Sequence, residues 1–110
     1  MWNKQRSPVV EEMAAALRSG PVKHDLNRLG ISEMSCTYLG KQLTVSWYSH
    51  DRPRTVQYDG DRFFASDDDC HYLTRAAVER ADRLFAEKVA ELERRRAEAQ
   101  SGFERREEGR

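Results

Sequence analysis

A long amphipathic pattern occupies the second half of the chain, between Ser66 and Gln100. Apolar residues recur there at steps of three and four, which is the spacing of one helix face. They are Leu73, Ala77, Val78, Ala81, Leu84, Phe85, Val89 and Leu92. Ser66 can cap this helix, and the aspartates at 67–69 suit the positive end of its dipole. The predicted helix would be about 50 Å long, more than the width of a domain of this size, so its charged last turns should either project into solvent or contact another molecule.

A shorter pattern near the N-terminus predicts a first helix. Ser7 and Pro8 suit its first positions, and Ser19-Gly20-Pro21 suits its end. The apolar positions on one side are Val10, Met13, Ala14 and Leu17. Just beyond them, Val22, Leu26 and Leu29 follow helical spacing and Gly30 closes the run, which predicts a second helix of one or two turns.

Strict alternation of larger and smaller residues predicts a β-hairpin between Met34 and Trp47. A two-residue turn at Gly40-Lys41 would place Tyr38 opposite Leu43. The same register pairs Cys36 with Val45 and Met34 with Trp47. All six larger side chains then share one face, which is expected to be the buried one.

A second hairpin is predicted around Asp59-Gly60, pairing residues 54–58 with 62–65 so that Val56 and Phe63 point inward. The expected fold class is α+β with two layers. It consists of an N-terminal helix, a short helix, a four-stranded antiparallel meander and a long C-terminal amphipathic helix. We expect one domain over residues 1–100 and a flexible charged tail over 101–110.

Composition restricts the function classes. The chain has 110 residues, 38% of them hydrophobic, which suits one compact core. Basic and acidic residues both number 19, so no basic excess favours nucleic-acid binding by bulk charge. No run of 18 apolar residues and no signal-peptide core occur, and we expect a cytoplasmic protein without membrane contact. Cys36 and Cys70 have no disulfide or zinc spacing and are expected to be reduced thiols.

The densest cluster of reactive side chains is Asp67-Asp68-Asp69-Cys70-His71, which His50 could join in a metal site. Cys70 could alternatively act as a nucleophile with His71 or His50 as its base. Consecutive helical residues point in different directions, however, and helix capping accounts for the same aspartates. We therefore expect no metal, no cofactor and no enzymatic activity.

An alternative hypothesis is a DNA-binding regulator. The spacing of Ala16, Gly20 and Leu26 resembles that of a helix-turn-helix, with the following hairpin as a wing. The residues that would then face the DNA are Lys23, His24, Asn27 and Arg28. The order of helix, strands and helix also resembles a double-stranded-RNA-binding domain. That family has lysines at the start of its last helix, where this chain has the aspartates at 67–69.

The leading hypothesis is a protein-interaction role. Aromatic and arginine side chains, which dominate binding hot spots, recur around the outer face of the predicted sheet. They are Tyr48, Arg52, Arg54, Arg62 and Phe64. The charged turns from Lys88 to Gln100 form a second candidate surface, suited to a homodimer. In its small size and lack of motifs the chain resembles phage-encoded inhibitors such as anti-CRISPR proteins, which implies steric occupation of a host or defence-complex protein.

Overall fold

The structure is a computed structural model that describes residues 7–63 and 66–108, with side chains described as far as Gln100. Two helices lie on one face of an antiparallel sheet, so the predicted α+β class is confirmed. The elements are α1 (Pro8–Ser19), β1 (Val22–Leu26), β2 (Ser32–Tyr38), β3 (Lys41–Tyr48), a 3-10 turn (Ser49–Asp51), β4 (Arg52–Tyr58), β5 (Asp61–Arg62) and α2 (Asp67–Glu108). The strands follow one another across the sheet in chain order.

Helix α1 agrees with the prediction at both ends. The Ser7 hydroxyl accepts a hydrogen bond from the Val10 N–H at 3.3 Å, and the predicted apolar positions are buried. At the other end, the Gly20 N–H donates to the Ala16 carbonyl at 2.9 Å. A Cβ at position 20 would lie only 2.8 Å from that carbonyl oxygen, which explains the glycine.

The predicted second helix is wrong, because Val22–Leu26 forms the edge strand β1. Val22 pairs with Cys36 and Leu26 pairs with Ser32, so the sheet has five strands rather than four. The backbone groups of this segment that face β2 pair with it, and local helical spacing does not reveal this partner. The β1–β2 connection is closed by Asn27, whose side-chain oxygen accepts hydrogen bonds from the N–H groups of Leu29 and Ile31.

The first predicted hairpin exists, but its turn and register differ from the prediction. The turn consists of Leu39 and Gly40, with φ values of 51° and 78°, which is the left-handed pair that a tight hairpin requires. Cys36 therefore pairs with Leu43 and Met34 with Val45. This shift of register by two residues leaves every side chain on its predicted face, and all six larger residues are buried.

The second hairpin turns at Asp59-Gly60 as predicted, with both residues at positive φ. Its last strand, β5, is shorter than predicted and ends at Arg62, while residues 64 and 65 lie outside the described residues. Val56 is buried in the core and Phe63 packs partly against it. Strand β4 begins at Arg52, and its pairing with β3 shifts register between Ser46 and Trp47.

Helix α2 runs beside α1 in the same direction. Tyr72 donates to a Glu11 carboxylate oxygen at 3.1 Å, and Arg80 donates to the Gly20 carbonyl at 2.9 Å. The core between the helices and the sheet includes four α2 residues, namely Leu73, Ala76, Ala77 and Ala81. The predicted end at Gln100 is wrong, since the helix continues to Glu108. Among the described residues, no helix combines the length and apolar character needed to cross a bilayer.

Candidate protein-binding surface

After Leu84, the side chains of helix α2 no longer pack against the core. Leu84 is the last of its side chains packed against the core, and Phe85 is already 69% exposed. We call residues 85–108 the projecting half of α2, and the helices and sheet up to Leu84 the head. At the rise of an α-helix, the projecting half is about 36 Å long. It contributes to the elongated shape of the molecule, 73 × 34 × 29 Å.

One side of the projecting half carries an apolar stripe. The apolar residues Phe85, Val89 and Leu92 follow one another at steps of four and three, and Arg96 comes four residues later on the same side; we call these four residues the α2 stripe. Leu92 is 54% exposed. Val89, Leu92, Glu93 and Arg96 surround a surface depression of about 380 Å³. This surface has the composition of a helix face that packs against a partner.

The α2 stripe leads directly into a groove on the head. The groove has a volume of about 420 Å³ and lies where α2 passes the last residues of β1 and β3. Its apolar walls come from Leu26, Trp47, Val78, Ala81 and Phe85. Since Val78, Ala81 and Phe85 continue the three- and four-residue steps of the stripe, the groove and the stripe share one side of α2.

Two of the residues that line the groove, His24 and Trp47, form an aromatic pair. The rings of His24 and Trp47 are parallel to within 1°, with their centroids 5.8 Å apart. Trp47 is buried, whereas Leu26, which shares the helix-facing side of the sheet with His24, is 68% exposed. The helix-facing side of β1 thus extends beyond the area that α1 and α2 cover, and it leaves an apolar ledge beside the aromatic pair.

Two carboxylates, Asp51 and Asp82, stand among the residues that line the groove. Asp51 belongs to the turn after β3, where His50 and Asp51 both adopt left-handed backbone angles, with φ of 65° and 62°. Aspartate tolerates this conformation better than most residues. Neither carboxylate forms a hydrogen bond or ion pair with another described residue. The groove therefore combines apolar walls with two carboxylates outside any ion pair, of which Asp82 also borders a second depression together with Arg18 and Arg83.

The structure brings only part of the predicted arginine and aromatic surface together. Tyr48 and Arg52 pair across β3 and β4, and the half-exposed Tyr48 also lines the groove. Arg54 lies at the irregularity in β4. Arg62 pairs with Gln57, about 16 Å along β4 from Arg52. Phe64 lies outside the described residues.

The four predicted DNA contacts do not form a helix face. Lys23 and His24 are consecutive residues of β1 and point to opposite sides of the sheet. Asn27 and Arg28 belong to the turn that follows. A helix-turn-helix is therefore wrong for this chain, because its second helix is a strand.

The cluster at the start of α2 has a capping role. The Ser66 hydroxyl accepts a hydrogen bond from the Asp69 N–H at 3.2 Å. Burial, with smaller contributions from Asp67 and Asp69, raises the pKa of the Cys70 thiol, and Arg62 opposes this shift. A nucleophilic cysteine needs the opposite shift. Within residues 7–63 and 66–108, no group of three or more His, Cys, Asp or Glu side chains is placed to hold a metal ion.

Sequence reasoning missed the groove, although it identified much of the stripe. Phe85 and Leu92 belonged to the predicted amphipathic face, and the excess length of the helix indicated that its end would either project into solvent or contact another molecule. Leu26 and His24 were assigned to a helix, so their position beside Trp47 was not foreseen. Comparisons of the chain with protein-family models, with curated proteins and with solved structures each gave no match.

Proposed function

We propose that this chain is a non-enzymatic binding protein that acts by covering the surface of a partner protein. The observation that carries the proposal is the continuity of the α2 stripe with the groove. Together they form one elongated apolar surface from Leu26 through Phe85 to Leu92, which the described part of the chain leaves uncovered. Extended apolar surfaces with polar rims are characteristic of protein-interaction sites.

The residue types in this surface support protein binding. Trp47 and Phe85 both line the groove, and aromatic side chains supply a large share of binding energy at protein interfaces. Aspartates and serines lie at its polar positions, namely Ser32, Ser49, Asp51 and Asp82. An apolar centre with polar groups around it gives affinity and orientation in one site.

The partner class follows from the resemblance to phage-encoded inhibitors: a host protein or a subunit of a defence complex. The mechanism is then steric, because a rod of about 36 Å attached to a compact head can cover an extended surface without any chemical step. A second copy of the chain, bound through α2, is the alternative occupant of the same surface.

Affinity capture tests this function. The chain is used as bait in an extract of its native host, beside a variant that carries Phe85→Asp and Leu92→Asp. Both positions are exposed, so the head should keep its unfolding midpoint while the captured partner is lost. Leu39→Asp is the matched control, since it removes an exposed leucine from the β2–β3 turn. Equal capture by bait, variant and control would refute the proposed surface.

A further inference from the structure

We propose that the occupant of this surface is an amphipathic α-helix of the partner protein. Its apolar side packs on the α2 stripe, and its end over the groove carries basic residues. This inference rests on the proposed function and names the chemistry of the partner at the same site. It follows from three features of the surface: its shape, its charge, and the poor fit of a second copy.

The shape of the surface suits the packing of a second helix along α2. From Phe85 to Arg96 the stripe is straight and about 17 Å long. The depression among Val89, Leu92, Glu93 and Arg96 is the kind of hole that receives a side chain from a helix lying 8–10 Å away, about the usual distance between packed axes. A helix laid along the stripe continues into the groove, where apolar walls meet its last turns.

The negative charge of the groove favours basic residues at the end of the partner helix that lies over it. Asp51 and Asp82 both line it, and neither forms an ion pair with a described cation. A lysine or arginine on the incoming helix would supply the missing positive charge at the rim, where its apolar stem also contacts the groove wall. An acidic residue in the same place would face two like charges.

Self-association of two antiparallel copies places like charges together. Asp82 and Glu93 lie on one flank of the stripe, about three helical turns apart, and Lys88 and Arg95 lie on the other. In an antiparallel pair related by a two-fold axis, each flank faces the same flank of the second copy. Acidic side chains then oppose acidic ones, and basic side chains oppose basic ones, which destabilises the pair.

Parallel self-association meets a steric obstacle. It would bring the acidic flank against the basic flank, which is electrostatically favourable. The stripe, however, is the continuation of Val78 and Ala81, which pack toward the sheet. The packed half of the second copy's α2 would have to occupy the space already filled by the first head. A helix from a different protein, free of this head, avoids both conflicts.

Two synthetic peptides test the inference. Both carry a leucine stripe at helical spacing; one has lysines beside the stripe in its last turn, and the other has glutamates there. Fluorescence anisotropy with the full chain should show the lysine peptide binding about tenfold more tightly, as expected when a few exposed charge pairs change from repulsive to attractive. The preference should shrink as salt is added. Light scattering of the chain alone should give the mass of a monomer.

Charge reversal provides the specific control. Asp51→Lys combined with Asp82→Lys should reverse the preference, whereas Asp25→Lys combined with Asp61→Lys, which changes two exposed carboxylates outside the groove lining, should preserve it. Four results would overturn the inference: no binding of either peptide, equal binding of both, a preference that survives in the groove variant, or a dimer that Leu92→Asp dissociates. Loss of capture by the Phe85→Asp, Leu92→Asp bait without any peptide preference would leave the proposed function standing and remove this occupant. A peptide preference with unchanged capture would show that the surface binds a basic helix but is not the site through which the host protein is captured, which removes the proposed function.

Discussion

The two halves of α2 are made from similar residues but are held in different ways. In the packed half, Leu73, Ala76 and Ala77 are fully buried between α1 and the sheet. In the projecting half, Phe85 and Leu92 are mostly exposed, and every described side chain from Phe85 to Gln100 is at least partly accessible to solvent. The first half thus gains stability from tertiary packing, whereas the second depends on interactions within the helix.

Those local interactions include a carboxylate shared by two arginines. Glu91 forms ion pairs with Arg94 and with Arg95, the latter at 3.2 Å. Exposed pairs of this kind contribute only ~0.3–0.5 kcal/mol each. The packed half supplies the nucleus on which the projecting turns can form, since starting a helix is the costly step. The head can therefore support a helix that would be marginal in isolation.

Truncating one leucine in each half should give the largest contrast. Leu73→Ala removes a fully buried side chain and is expected to lower the free energy of unfolding by about 2–5 kcal/mol. Leu92→Ala should change it by less than about 0.5 kcal/mol, because that side chain is largely exposed. Urea denaturation followed by circular dichroism measures both. Comparable losses from the two variants would mean that the projecting half is packed in solution.

A high-pH experiment tests a hydrogen bond that belongs to the head. Tyr38 donates a hydrogen bond of 2.6 Å to Glu12, and this bond, followed by burial and the charge of Glu12, raises the pKa of Tyr38 from 10.0 to about 12. Because the folded-state pKa is the higher one, this contribution to stability is complete below pH 10 and is lost as the pH rises toward 12. Denaturation midpoints across this range should fall in the native chain.

The matched variants for that experiment are Tyr38→Phe and Tyr48→Phe. Tyr38→Phe should remove the part of the alkaline decline that this tyrosine causes, since it has no phenolic proton to lose. Tyr48→Phe changes an exposed tyrosine and should leave the decline intact. An unchanged decline in Tyr38→Phe would show that its bond to Glu12 does not contribute.

The smallest effect is expected in the projecting half. Glu91→Gln weakens both ion pairs and should reduce the helical signal slightly, by a free energy of about 0.5–1 kcal/mol for the two pairs together. The difference from the native chain should disappear in concentrated salt. Glu87→Gln is the control, since Glu87 forms no ion pair with another described residue. Equal signals for native chain and Glu91→Gln at low salt would contradict the role given to Glu91.

Sequence reasoning succeeded where the signal is local. The caps of α1, the start of α2 and the Asp59-Gly60 turn each depend on a few neighbouring residues, and the structure confirms all three. The first hairpin was harder because its turn uses Leu39 at positive φ, a conformation that leucine rarely adopts. The predicted faces were nevertheless correct, because side chains alternate along a strand with a period of two and the register shifted by two residues.

Strand β1 and the groove could not be predicted from local sequence signals. Four of the five β1 residues are exposed, so the segment lacks the alternation that marks a half-buried strand. Its conformation is decided by pairing with β2, which is a nonlocal interaction. The groove then depends on β1, since Leu26 reaches Trp47 and α2 only when the segment is extended. One misassigned element therefore concealed the site.

The contact between α1 and α2 also constrains how the chain reaches its native state. Arg18 lies against the ring of Tyr72 and pairs with Glu79, and Arg80 caps the end of α1. The first core element in the chain thus packs against the last one, and the five strands lie between them in the sequence. During synthesis, β2 can cover α1 in part, but α2 must also emerge before the apolar side of α1 is fully covered, which predicts slow closure of the core.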